Sequence, residues 1–530
     1  MPSVRSAASI MKDGAWVALA ATILLMPALL WGRPFVFGDT AYYWGWGGDI
    51  LDALQRPWPG PGQPWVAGRT LHGWGFATHD ATLADLRFNL TWLTARSAFY
   101  SVPFRLLMNA GGPWLVAAVQ ALVTAWTLKV AVRVTAPSVS GLAYIAVVAG
   151  LTALSSIGFE VGYAMPDLFG GLALLAAVLL MTMPDRIGRV ERVGLMGLIV
   201  YAVLAHSENS LNMAAAAVMG ALWYARAGAG WSAALGRAAP TALALVIGLA
   251  VAAGGGAILG KAFGQPVHMP PFPAGRMLAD GTAQTYLRQT CPKTPLAACD
   301  LADKPPVNIE YYLWIYPLEA PPPAQSLTDN RYVLSQFDRL SARHVTDAEA
   351  DHRERFVREQ GRLVMGGLGA GGVGEARAAL LSGVVAVINF GVGRDFDTLT
   401  LMAPTGQSGL RDHLTALTPG GVECITRTAS CGRFDLGAVA PLQYAAVLIA
   451  LVFLVASGFI RKAAPTGELP NLMTLSLGLV LANAVICGVL SGPYPRYQAR
   501  VEWIIPLGAL LLLAQWWERS RGPISPAPDR

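Results

Sequence analysis

Long uncharged runs alternate along this chain with short basic stretches. The first run, Gly14–Trp31, carries no charge. At 1.5 Å per residue it reaches about 27 Å, close to the hydrocarbon thickness of a bilayer. It exceeds the signal-peptide core of about 7–15 residues, and no small-x-small site follows in Trp31-Gly32-Arg33-Pro34. It therefore reads as a retained helix. Further apolar runs predict about ten spans, at 14–32, 113–132, 139–157, 166–183, 193–207, 210–225, 240–260, 439–459, 471–490 and 501–517.

Charge orients these spans. With the N-terminus inside, the inside loops hold Arg133, then Arg186, Arg189 and Arg192, then Arg226 and Arg237, then Arg461 and Lys462. Arg519 and Arg521 follow in the tail. Every short inside loop is basic, as the positive-inside rule requires. Both termini are then cytoplasmic, and two long segments, 33–112 and 261–438, lie outside. The expected fold class is an all-α integral membrane protein with two long outer loops.

The first outer loop turns amphipathic. Leu86, Leu90, Leu93, Phe99 and Phe104 mix with Arg87, Arg96 and Arg105, which predicts helices in the interface plane. In the second loop, Ala376–Phe390 is apolar, but a crossing there would place Arg461 and Lys462 outside. It is read as a buried or re-entrant helix. Three regions result: a transmembrane module at 1–260, an outer subdomain at 261–438, and C-terminal spans with a short tail at 439–530.

Composition agrees. Of 530 residues 54% are hydrophobic and 14% charged, where soluble domains carry roughly 25% charged. Mean hydropathy is +0.45. The net charge of +6 comes largely from the short loops, so it marks membrane orientation and not a nucleic-acid partner. Cys291 and Cys299, and Cys424 and Cys431, form two close pairs in the second outer loop. They read as two small disulfide-closed loops, with free thiols or a shared metal site as the alternatives. Zinc sites space paired cysteines more tightly, with about two to four residues between them. No Walker lysine motif occurs, and Gly366–Gly374 lacks both Rossmann spacing and a preceding strand.

Three outer features carry candidate chemistry. Asp39 is followed by Tyr42, Tyr43 and Trp44. Glu160 and Asp167 lie in the loop after the third span, and Arg496 and Arg500 precede the last. His206, beside Glu208, and Lys261 stand at outer ends of spans. Glycosyl transfer from a lipid phosphate needs a carboxylate to take the acceptor's proton, and cations to stabilise the leaving phosphate. In that reading Asp39, Glu160 and Asp167 are catalytic. Tyr42, Tyr43, Trp44, His206, Lys261, Arg496 and Arg500 bind substrate. Asp39, Glu160, Asp167 and His206 are also candidate ligands for a divalent cation such as Mg or Mn. The plainer reading makes Asp39 the cap of a helix starting at Thr40, Asp167 another cap, and the arginines and aromatics interfacial anchors.

The layout resembles the GT-C superfamily of polytopic glycosyltransferases, which includes protein O-mannosyltransferases, aminoarabinose transferases and oligosaccharyltransferases. Gly38-Asp39-Thr40-Ala41-Tyr42-Tyr43 is similar to the acid motif of its first outer loop, and Glu160 and Asp167 occupy the place of its second acid. The resemblance covers roughly residues 10–260. Many members have Asp-Glu where this chain has Asp39-Thr40, and no Trp-Trp-Asp motif or large soluble C-terminal domain follows. The resemblance implies a polyprenyl-phosphate-linked sugar donor, a cell-envelope acceptor and transfer at the periplasmic face of a bacterial inner membrane. A lipid-linked sugar flippase, or a non-catalytic subunit of an envelope polysaccharide assembly system, is the alternative.

Overall fold

The computed structural model describes residues 7–55, 82–85, 87–88, 96–137, 139–263, 269–318, 343–393, 396, 434–459 and 469–520. Among the described residues the chain is helical and contains no strand. Six helices are long and apolar enough to cross a membrane: Ala98–Thr135, Trp231–Lys261, Asp347–Ile388, Leu436–Gly458, Pro470–Leu490 and Pro495–Trp517. Other expected spans fall on shorter helices, among them Gly141–Leu154, Leu168–Thr182, Arg189–Ala205 and Glu208–Tyr224.

Leu168–Thr182 is the centre of the bundle. Every residue in it is buried, as its uncharged sequence of Leu, Ala, Gly and Val allows. Its glycines set how closely neighbours approach. A Cβ on Gly171 would stand 2.1 Å from the Arg500 carbonyl oxygen, so only glycine admits helix Pro495–Glu502 here. Helix Trp231–Phe263 is the opposite case. Leu243, Val246 and Ile258 are exposed along it, an apolar surface suited to lipid.

The bundle has two chemically different ends. At one end Lys129 pairs with Asp13 at 3.3 Å and Arg133 with Glu191 at 2.5 Å. Arg186 donates to the Val134 carbonyl there at 3.0 Å. The other end gathers the candidate residues. Two backbone hydrogen bonds stitch it together: Phe35 N to Gly162 O at 2.8 Å and Ala164 N to Phe35 O at 2.9 Å.

Helix Ala98–Thr135 bends at Gly111–Gly112, where Gly112 takes φ 66, a conformation that favours glycine. The stretch before the bend packs along helix Gly38–Leu54, and the Arg105 guanidinium lies 3.9 Å from the Trp44 ring centroid. Helix Gly38–Leu54 and the stretch before the bend belong to the first long loop, where interfacial helices are expected.

The second long loop has its own core. Leu278, Leu287, Leu301, Tyr312, Ile315, Phe356 and Leu363 pack together. Cys291 and Cys299 form the expected disulfide, with an S–S distance of 2.00 Å. Cys424 and Cys431 lie outside the described residues. Arg353 is almost wholly buried and donates to the carbonyls of Tyr312 at 2.8 Å, Tyr316 at 3.1 Å, and Leu313. It fixes the turn that carries residues 310–316.

The apolar stretch expected as a buried or re-entrant segment forms the second half of Asp347–Ile388, beyond a kink at Gly372. Leu380, Leu381, Val384 and Ile388 on it are exposed. Its first half is bound through Arg353 to the turn that reaches the site. Its end is tied there too, by Asn389 Nδ2 to Pro493 O and by Phe390 N to Tyr444 Oη at 3.0 Å. Both ends therefore meet the same end of the bundle, although length and composition alone would let this helix cross.

Candidate active site

Asp39 lies in the first turn of helix Gly38–Leu54, where the helix dipole favours negative charge. The capping contact here belongs to Thr40, whose Oγ1 accepts from Phe37 N at 3.0 Å and donates to Ala164 O at 3.2 Å. Asp39 Oδ1 takes Arg96 Nη2 at 2.5 Å, and Arg496 Nη1 stands 3.9 Å from Oδ2. The Arg496 guanidinium lies 4.2 Å from the Phe37 ring centroid and donates to Tyr497 Oη at 3.2 Å.

Arg500 lies one turn further along helix Pro495–Glu502, a rise of about 6 Å. It is fully buried. It donates to Glu208, to Asn483 Oδ1 at 3.3 Å and to Cys487 Sγ at 3.3 Å. Asp167 stands at the N-cap position of Leu168–Thr182 yet makes no capping hydrogen bond. Its Oδ1 lies 3.8 Å from Arg500 Nη1. One short helix thus places Arg496 beside Asp39 and Arg500 beside Asp167.

The other expected residues are placed unequally. Glu160 is fully buried, and neither carboxylate oxygen has a hydrogen-bond partner. Burial, followed by the charge of Asp167, pushes its carboxyl well above the usual range. His206 Nδ1 is 3.9 Å from Glu208 Oε2. Tyr42 faces Arg96, with the guanidinium 6.0 Å from its ring centroid. Tyr43 is buried edge-to-face on Tyr100, and Trp44 carries Arg105 instead of facing Asp39. Lys261 is exposed near the end of its helix and forms no ion pair with these acids.

Sequence reasoning missed three members. Arg96, the direct partner of Asp39, looked like one of several interfacial arginines. Glu310 and Trp314 come from the second long loop, in Glu310-Tyr311-Tyr312-Leu313-Trp314. Glu310 accepts from Trp314 Nε1 and from Tyr494 Oη at 3.4 Å. The Arg96 guanidinium lies 5.3 Å from the Trp314 ring centroid. Contacts therefore close into a ring: Asp39, Arg96, Trp314, Glu310, Tyr494, Tyr497 and Arg496. The clue was a carboxylate inside an aromatic cluster in an otherwise polar loop.

Among the described residues, no group of three or more His, Cys, Asp or Glu side chains is arranged to hold a metal ion. Asp39 and Asp167 face guanidinium groups instead of each other.

No family model matches the chain, and no curated protein or solved structure matches it.

Proposed function

We propose that this chain is a membrane glycosyltransferase. It moves a sugar from a polyprenyl-phosphate donor to a cell-envelope acceptor at the periplasmic face. One observation carries the reading: Arg96 and Arg496 both approach Asp39 at one end of an apolar bundle. Paired guanidiniums suit a phosphate, and guanidinium hydrogen bonds to phosphate strengthen as negative charge develops on the leaving group. Tyr42 and Trp314 add aromatic faces beside them. The surrounding bilayer is where a polyprenyl chain resides. The Arg496 side chain keeps 21% of its surface exposed, which leaves it a face to offer an anion.

In this mechanism Asp39 holds Arg96 and Arg496 at the donor phosphate. The acceptor oxygen attacks the anomeric carbon, and the bond to the phosphate oxygen breaks with its electron pair staying on the phosphate. Arg500, Glu208 and Asp167 support helix Pro495–Glu502 from beneath. The test is transfer of labelled sugar from polyprenyl-phosphate mannose, glucose or aminoarabinose into the lipid and glycan fractions of membrane vesicles. Wild-type protein should transfer label from one of these donors, and Asp39→Asn should lose most of it. Full activity in Asp39→Asn would remove the carboxylate from the mechanism.

A further inference from the structure

Glycosyl transfer leaves one role open, and the geometry distributes it unexpectedly. Asp39 binds Arg96 directly and has Arg496 at 3.9 Å. Each of its two oxygens thus faces a guanidinium, so this carboxylate is engaged in holding the arginines. Glu310 belongs to the same ring of contacts but is bonded differently. It accepts hydrogen bonds from neutral donors, the Trp314 indole and the Tyr494 hydroxyl. Each of its oxygens can accept a further hydrogen bond. Its backbone is also held: Glu310 N donates to Asn308 Oδ1 at 3.0 Å, and Arg353 grips the carbonyls that follow.

We infer that Glu310, and not Asp39, is the carboxylate that takes the proton from the attacking hydroxyl. The inference rests on the glycosyltransferase reading. The acceptor O–H proton passes to a Glu310 oxygen as the acceptor oxygen bonds the anomeric carbon. The bond to the donor phosphate breaks, and the phosphate leaves as an anion against Arg96 and Arg496. Burial pushes the Glu310 carboxyl above the usual range, against the Trp314 hydrogen bond and the Arg496 charge. That direction brings a general base closer to neutral pH, where it works best. The groups facing it are Tyr494, Trp314, Arg496, Arg96 and Asp39. The second long loop would then supply catalysis as well as a cap over the bundle.

The experiment uses full-length protein in vesicles with the donors named above, measuring kcat and donor KM between pH 5 and 9. Glu310→Gln should lower kcat at least about 100-fold, leave donor KM within about twofold, and abolish the acidic limb of the profile. Asp39→Asn should raise donor KM while keeping that limb. Tyr494→Phe removes a donor to the ionised carboxylate, so the limb should move up by about half a unit. It also serves where Glu310→Gln folds poorly, since the Trp314 contact remains. If wild type transfers label and Glu310→Gln keeps its kcat, or the limb stays fixed in Tyr494→Phe, this assignment is overturned alone. If wild type transfers no label from any donor, the glycosyltransferase reading falls and this assignment with it.

Discussion

Two arginines one helical turn apart occupy opposite situations. Arg500 has no exposure, and its partner Asp167 has 3%. Arg496 is 21% exposed and its neighbour Asp39 16%. Around Arg500 the contacts come from helices of the bundle: Glu208, Asn483 and Cys487. Around Arg496 they come from Asp39 and Phe37 of the first loop and from its neighbour Tyr497. The same ion-pair chemistry serves as a bracket in one place and as an accessible surface in the other. Burial decides which, because a sealed guanidinium has no face left for a ligand. In the proposed mechanism the phosphate role therefore falls to Arg96 and Arg496, with Arg500 as a structural partner.

Breaking the inner half should have the largest effect. Arg500→Leu leaves Glu208 and Asp167 buried without their cation, and losing one partner of such a set costs about 3–5 kcal/mol. A marked fall in Tm and yield in detergent is expected, and an unchanged Tm would refute the bracket. Arg496→Ala should act on function instead. Transfer should drop by about 100-fold, as for loss of one electrostatic stabiliser, with the Tm nearly kept. Equal damage to stability in both variants would erase the contrast.

Arg96 and Asp39 sharpen it further. A double-mutant cycle on Arg96→Ala and Asp39→Asn should give a coupling of roughly 0.5–3 kcal/mol in kcat/KM. A coupling near zero would show that the pair does not act as one unit. The smallest effect concerns the tether between the two outer loops. Asp85 accepts from Val345 N at 2.7 Å and meets His344 Nδ1 at 2.9 Å. Burial opposes its ionisation, yet these bonds hold its carboxyl below the usual value. Its contribution is therefore complete above the unfolded aspartate value of about 3.9 and is lost as pH falls through the lower native one. Hydrogen exchange over residues 344–350 should rise on acidification in wild type, and in Asp85→Asn already at neutral pH.

Much of this contrast was legible in sequence, for a definable reason. Asp39, Asp167, Arg496 and Arg500 sit beside apolar runs, so hydropathy and charge place them at one end of a bundle. Which arginine is sealed was not legible. Arg496 and Arg500 occupy one loop in the sequence, and only the packing of Gly171 against the Arg500 carbonyl separates them. Arg96 and Glu310 were missed because partner choice in long loops depends on tertiary contacts that no local period encodes. For the apolar stretch 376–390 apolarity alone does not say which side chains are buried, and Leu380, Leu381 and Val384 are exposed.

The order of synthesis gives helix Pro495–Glu502 a further meaning. Asp39, Asp167 and Glu208 are all translated before the guanidiniums of Arg496 and Arg500 exist. Until then a growing chain carries acids in apolar surroundings without two of their cations. Such a chain is poorly settled in a bilayer and open to helper proteins or to degradation. Arg496 and Arg500 thus complete these ion pairs late in synthesis, and a nascent chain halted before Pro495 is expected to be less stable in the membrane than the full chain.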